Sequence, residues 1–200
     1  VCGPCTTGTV TSCESFTFAG YFGFGPGSRD VFARYPYGGF AEYTLAPENA
    51  IVPIPDNVSF EHAAHFGYLG TSYAGLLRGG VGPDTKLLIN GGTGTLGIGA
   101  TLLALSMGVP KILAVARDRG RLELLKTLAP ERIEIHSTED GSTTDGAKSL
   151  TGGRGVDVVL DCLSPGTPAS VLLEGLYAVG RGGNVVTIGG VLESIEFNPG

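Results

Sequence analysis

Over the last two thirds of the chain, apolar residues come in short blocks separated by glycine and charged turns. Residues 87–89 are Leu-Leu-Ile, a block short enough for a buried parallel strand. Residues 97–107 stay apolar and predict a helix that Gly108 closes. The blocks at 111–116, 132–135, 156–162 and 183–189 predict further strands, and 121–126, 145–150 and 169–179 predict the helices between them. Strand and helix alternating at this spacing predict an α/β protein with a doubly wound parallel sheet. Upstream, Ser59 is placed to cap a helix beginning at 59–65, with His62 where a capping-box acid would stand. Residues 16–40, rich in Gly, Phe and Tyr, predict a loop, and 38–47 and 51–56 predict short strands punctuated by proline. No internal repeat or low-complexity segment is present.

The strand at 87–89 runs into Gly92, Gly94 and Gly97, spaced as G-x-G-x-x-G, with Thr95 and Leu96 completing the turn. In that pattern the first glycine allows a tight turn and the second lets backbone approach a pyrophosphate. The third lets helix and strand pack closely, with the phosphates at the helix N-terminus. Glycine is 34 of 200 residues, so roughly one such match is expected by chance, and context is the test. The second strand at the βαβ distance supplies that context. A dinucleotide cofactor is therefore expected, bound by Gly92, Gly94, Thr95, Leu96 and Gly97.

Which dinucleotide depends on the end of the second strand. NAD-type sites place a carboxylate about 20 residues past the glycine turn, on the ribose 2′-hydroxyl. Here that strand ends at Ala116, followed by Arg117. Without a carboxylate there is room for a 2′-phosphate, which a guanidinium binds bidentately. NADP is thus expected with Ala116 and Arg117 in its site, and NAD stays possible. Asp118 is the competing acid, two positions late, and reads as a helix cap.

Composition narrows the classes. Hydrophobic residues are 42% and charged residues 16%, a globular balance. Net charge is −6 with no basic patch, which excludes nucleic acid as an expected partner. The most apolar helix is too short to span a bilayer, so no membrane partner is expected, and the expected setting is cytoplasmic. Three of the four cysteines fall in the first 13 residues, as Cys2, Cys5 and Cys13. That C-x2-C-x7-C spacing lets thiolates converge on one tetrahedral zinc from a single loop. The other reading is free or paired thiols, which suits a cofactor-binding chain less well.

The cysteine loop resembles the structural-zinc lobe of the medium-chain dehydrogenase/reductases, in their zinc alcohol dehydrogenase branch. That lobe reads C-x2-C-x2-C-x7-C; Cys2, Cys5 and Cys13 match its last three ligands, Gly8 matches its glycine, and its first ligand would fall before Val1. The stretches Gly38-Gly39-Phe40-Ala41-Glu42-Tyr43, Pro53-Ile54-Pro55-Asp56 and Gly155-Val156-Asp157-Val158-Val159-Leu160-Asp161-Cys162 match further family segments in order. The resemblance implies that residues 1–58 are the end of a GroES-like, β-rich catalytic domain carrying a structural zinc. Residues 59–200 would be most of a Rossmann domain, which family members continue past Gly200. It places Thr71 against the nicotinamide, Arg121 near the adenosine ribose, and Cys162 and Gly189 at strand ends facing the cofactor crevice.

The implied activity is hydride transfer between NADP(H) and a small alcohol/carbonyl pair, in a homo-oligomer. The last catalytic-zinc ligand of the family falls on Gly67 or Tyr68, depending on the anchor chosen, and neither is a usual ligand. His65 lies nearby. A zinc-independent quinone or enoyl reductase therefore stands as the alternative, as does a non-catalytic NADPH-binding module. Catalytic residues are not identified.

Overall fold

The computed structural model describes residues 2–196; the expectations about the two chain ends fall outside these residues. The chain divides between Asn57 and Val58 into two compact units. The first opens with α1 (Gly3–Thr6), where Pro4 costs no hydrogen bond because first-turn N–H groups are unpaired anyway. A hairpin follows, of β1 (Thr17–Phe18) and β2 (Phe22–Gly23), and then α2 (Ser28–Arg34). The Phe18 ring lies 5.0 Å from both Phe16 and Phe22, so aromatic contact orders a stretch whose composition reads as loop.

The strands expected at 38–47 and 51–56 do not form; a single 3-10 turn, Glu48–Ala50, interrupts an irregular path. Among the described residues no segment pairs with this stretch, and Pro47, Pro53 and Pro55 supply no N–H to a ladder. The Phe40, Tyr43 and Val52 side chains stay exposed. An unpaired strand has nothing to hold its backbone extended.

In the second unit, α3 (Phe60–Ala63) is capped by Ser59, whose Oγ accepts from the His62 N–H and lies 3.3 Å from His62 Nδ1. α4 (Phe66–Arg78) leads to β3 (Lys86–Asn90). The alternation then runs α5 (Thr95–Ser106), β4 (Lys111–Ala116), α6 (Arg119–Lys126), β5 (Ile133–Ser137), α7 (Thr143–Thr151), β6 (Val156–Asp161), α8 (Ala169–Tyr177) and β7 (Val179–Thr187). Among the described residues the five strands form one parallel sheet in the order β5-β4-β3-β6-β7. Leu87, Ile89, Val158 and Leu160 are buried on one face, and Leu88, Leu113, Val115 and Val159 on the other. Helices on both faces explain why these strands read as unbroken apolar blocks. No helix of the described residues is long and apolar enough to cross a membrane.

Several boundaries differ from expectation, and at α5 and β7 the reason is physical. α5 begins at Thr95 rather than 97, because Gly94 already stands as its N-cap. β7 begins at Val179 rather than 183 and ends at Thr187. Its glycines read as turn, yet they admit the strand to the sheet: a Cβ on Gly180 would lie 2.6 Å from Arg154 O, and one on Gly183 2.7 Å from Asp157 O.

In the second unit the tightest glycine contact joins α5 to the turn before it. A Cβ on Gly97 would lie 2.3 Å from Gly91 O and 2.7 Å from Gly92 Cα, both backbone atoms that cannot yield alone. Gly97→Ala is expected to cost about 3 kcal/mol and lower Tm by about 6–12 °C. Gly94→Ala, whose Cβ would meet only Gly91 O at 3.4 Å, is expected to shift Tm by less than about 3 °C. Thermal unfolding followed by circular dichroism compares the two, and equal shifts would contradict the backbone-contact account.

Candidate functional site

The strand order reverses between β3 and β6, and sheets of this type bind ligands at the carboxyl ends of the strands flanking such a point. A crevice of about 710 Å³ opens there. Gly91, Thr93 and Gly94 line its middle. One end is lined by Ala116, Arg117, Asp118, Arg121 and Thr138, the other by Cys162, the loop 163–168 and Val171.

The turn is built on Gly91, not Gly92, for it is Gly91 that takes the left-handed conformation, at φ +82°. The Gly91 and Gly92 N–H groups both donate to Val115 O, which fastens the turn to β4. Gly94 caps α5 without a side chain and is exposed. The first-turn N–H groups of α5 therefore have no intrahelical partner, and the helix end is electropositive. Backbone donors, positive potential and no Cβ in the way are what an anionic phosphate needs.

Of the cofactor residues expected from sequence, Gly94, Ala116, Arg117, Arg121 and Cys162 come together in the crevice. Gly92, Thr95, Leu96, Gly97, Thr71 and Gly189 are not among its lining residues. Gly92 and Gly97 pack the turn beneath it. Thr71 sits within α4, its hydroxyl donating back to Gly67 O at 3.1 Å. Gly189 lies against Leu163, where a Cβ would meet Leu163 O at 2.4 Å. His65, Gly67 and Tyr68 are exposed at the start of α4.

Charge at the Arg117 end is partly spent. Asp118 caps α6, its Oδ1 accepting from the Arg121 N–H at 3.0 Å, while its Oδ2 lies 3.5 Å from Arg121 Nε. Arg119 pairs with Asp140 and Glu123. Among the described residues no carboxylate pairs with the exposed Arg117 side chain. β4 ends at Ala116, so Asp118 caps the helix rather than ending the strand.

Sequence reading missed Asn90, Thr138 and the 163–168 loop. The available signal for Asn90 is a polar residue ending an apolar strand. Asn90 and Asp161 face each other in register across β3 and β6, 1% and 2% exposed. Asn90 Nδ2 donates to Asp161 Oδ1 and to Val171 O, each at 3.2 Å. Burial pushes the Asp161 carboxyl up to about 6, against the opposing hydrogen bonds from Asn90 and the Leu163 N–H. Burial, and then the charge of Asp161, pushes the neighbouring Cys162 thiol up to about 12, so it is an inert lining group rather than a nucleophile.

In the first unit, the sulfur atoms of Cys2, Cys5 and Cys13 lie within 4.8 Å of one another, Cys2 being 3.5 Å from Cys5 and 3.9 Å from Cys13. Three thiolates about 2.3 Å from a tetrahedral zinc would stand about 3.8 Å apart, so the donor set fits that ion. The Cys2 thiol is drawn down to about 7, chiefly by the Glu14 backbone N–H. Cys5 is pushed up to about 11, chiefly by its hydrogen bonds with the other two thiols.

Comparison with known proteins agrees with this architecture. Residues 95–200 match the family model described as zinc-binding dehydrogenase. The uncharacterized zinc-type alcohol dehydrogenase-like protein YphC of Escherichia coli K12 is 36% identical over 94% of this chain and 49% of its own length. D-xylulose reductase A of Aspergillus oryzae is 28% identical over 98% of this chain and 51% of its own. The structure of alcohol dehydrogenase TADH from Thermus sp. ATN1 superposes with a TM-score of 0.66 at 30% identity, covering 74% of this chain and 41% of that one. The chain spans about half the length of the curated relatives it matches.

The raised Asp161 pKa has a direct consequence. Between its ordinary value of 3.8 and about 6, the folded state holds a proton that the unfolded state has lost. Wild-type stability therefore gains on acidification through this window, a gain that Asp161→Asn lacks. Whatever the offset at pH 7.5, the Tm of Asp161→Asn relative to wild type is expected to fall by about 5 °C on going to pH 4.5. Parallel Tm curves for the two proteins would show that the buried carboxylate carries no such cost.

Proposed function

The chain belongs to the zinc-binding dehydrogenase family, and from that premise we propose that the protein transfers a hydride between NADP(H) and a small alcohol/carbonyl pair. The observation that carries the NADP choice is Arg117: a cation at the crevice rim without a carboxylate partner among the described residues. β4 ends beside it at Ala116, which offers nothing to a ribose 2′-hydroxyl. The neighbouring acid, Asp118, is engaged as a helix cap and with Arg121. A 2′-phosphate at this end completes a charge pair, while a bare hydroxyl finds no acceptor at Ala116. The turn at 91–94 would take the pyrophosphate, and the nicotinamide, when bound, supplies or accepts the hydride. Residues 1–58 are proposed as the end of a catalytic domain, in which Cys2, Cys5 and Cys13 would hold a structural zinc.

A second reading has one observation in its favour. The positions where the family places a last catalytic-zinc ligand hold Gly67 and Tyr68 on an exposed helix, neither a metal ligand of the usual kinds. A zinc-independent reductase of the quinone or enoyl type follows from that substitution. NADPH-dependent reduction of quinones or enones that survives chelation of zinc favours this second reading; turnover of alcohols and aldehydes that is lost on chelation and restored by zinc favours the first.

Cofactor titration at fixed ionic strength tests the NADP assignment. Arg117→Ala is expected to weaken NADPH binding by roughly ten- to a hundred-fold and NADH binding by less than about two-fold. Equal wild-type affinities for the two cofactors would reduce Arg117 to a surface charge. For the thiol cluster, cobalt(II) is the probe. One equivalent is expected to give a sulfur-to-metal charge-transfer band that disappears in Cys5→Ser. A band of equal strength in both proteins would place the metal elsewhere.

A further inference from the structure

Asn90 ends β3 beside Asp161 of β6, buried at the floor of the crevice, and half of its amide is unused. Both polar directions of Nδ2 are spent, on Asp161 Oδ1 and on Val171 O. The backbone of α8 closes on the same nitrogen: a Cβ on Gly175 would lie 2.7 Å from it. Two acceptors on the nitrogen fix which end of the amide is which, so it is the carbonyl Oδ1 that stays without a partner among the described residues. A buried acceptor left unsatisfied costs about 1–3 kcal/mol, and folded proteins seldom keep one. Asn90 is also among the residues lining the crevice.

From this we infer that Asn90 Oδ1 is a ligand contact, accepting a hydrogen bond from a hydroxyl or carboxamide donor on the nicotinamide-riboside half of the dinucleotide. The inference rests on the dinucleotide reading above. Three observations select the ligand group. An acceptor needs a donor, which a phosphate oxygen is not. The ionised Asp161 carboxylate beside the amide repels an anion and tolerates a neutral or cationic group. The amide is held on the β6 and α8 side of the crevice, away from the Arg117 end where the 2′-phosphate is proposed to sit.

The test compares NADPH with 2′,5′-ADP, which carries the 2′-phosphate but no nicotinamide riboside. Asn90→Ala and Asn90→Leu are expected to weaken NADPH about ten-fold and to leave 2′,5′-ADP within two-fold of wild type. Unchanged NADPH affinity overturns the inference, as does an equal loss for both ligands, which would make the amide a structural prop. A wild type that binds neither ligand overturns the dinucleotide reading and this inference with it. Should neither variant fold, the wild type still decides. Its Asn90 side-chain amide resonance is expected to shift on adding NADPH and not 2′,5′-ADP, and a resonance unmoved by NADPH overturns the contact.

Discussion

The second unit is organised around a contact that only the absence of a side chain permits. Gly97 lets the first turn of α5 press onto the backbone of Gly91 and Gly92. That closeness lets a twelve-residue helix start directly over the end of β3, with its unpaired N–H groups at the crevice. The hydrogen bonds from Gly91 and Gly92 to Val115 O then tie the same turn to β4. Remove the close approach and the helix end moves away from the strand ends that form the rest of the site. The crevice is thus a by-product of backbone packing, and its side chains only tune what the backbone has arranged.

Electrostatics divides that crevice into unlike ends. At the β4 end a guanidinium without an acidic partner among the described residues stands at the rim, where solvent screens it and salt would weaken it. At the β6 end a carboxylate lies under the floor, out of water, with its charge answered by an amide and a backbone N–H. A ligand laid across both ends would need an anion at one and a neutral or cationic donor at the other. An NADP molecule, with its 2′-phosphate at one extremity and a nicotinamide at the other, has that polarity.

The middle of the sheet was legible in the sequence because β3 and β4 are buried on both faces and so read as unbroken apolar blocks, at 87–89 and 111–116. The glycine turn was legible because its spacing is dictated by contact distances. What escaped reading depends on partners remote in sequence. Residues 38–56 have strand-like composition, but pairing is decided by what lies alongside. The front of β7 looks like a turn until Arg154 O and Asp157 O are found where side chains would have been. Asn90 gave only the sign of a polar residue ending an apolar strand, because its partners, Asp161 and Val171, are 71 and 81 residues away. The place of Arg117 at the crevice rim was readable, since it follows the strand end immediately before it.

The glycines that set the backbone have a further consequence, at the level of the gene. Every missense change at a glycine codon installs a Cβ, so Gly97, Gly180, Gly183 and Gly189 have no conservative replacement. At each of them a Cβ would meet backbone at 2.3–2.7 Å, so the first step of drift is already a steric clash. The rim residues Arg117 and Arg121 face water, where many side chains are sterically acceptable. Over evolutionary time the frame of the site should therefore stand nearly frozen while its charged rim stays free to wander, the two being written in different residues.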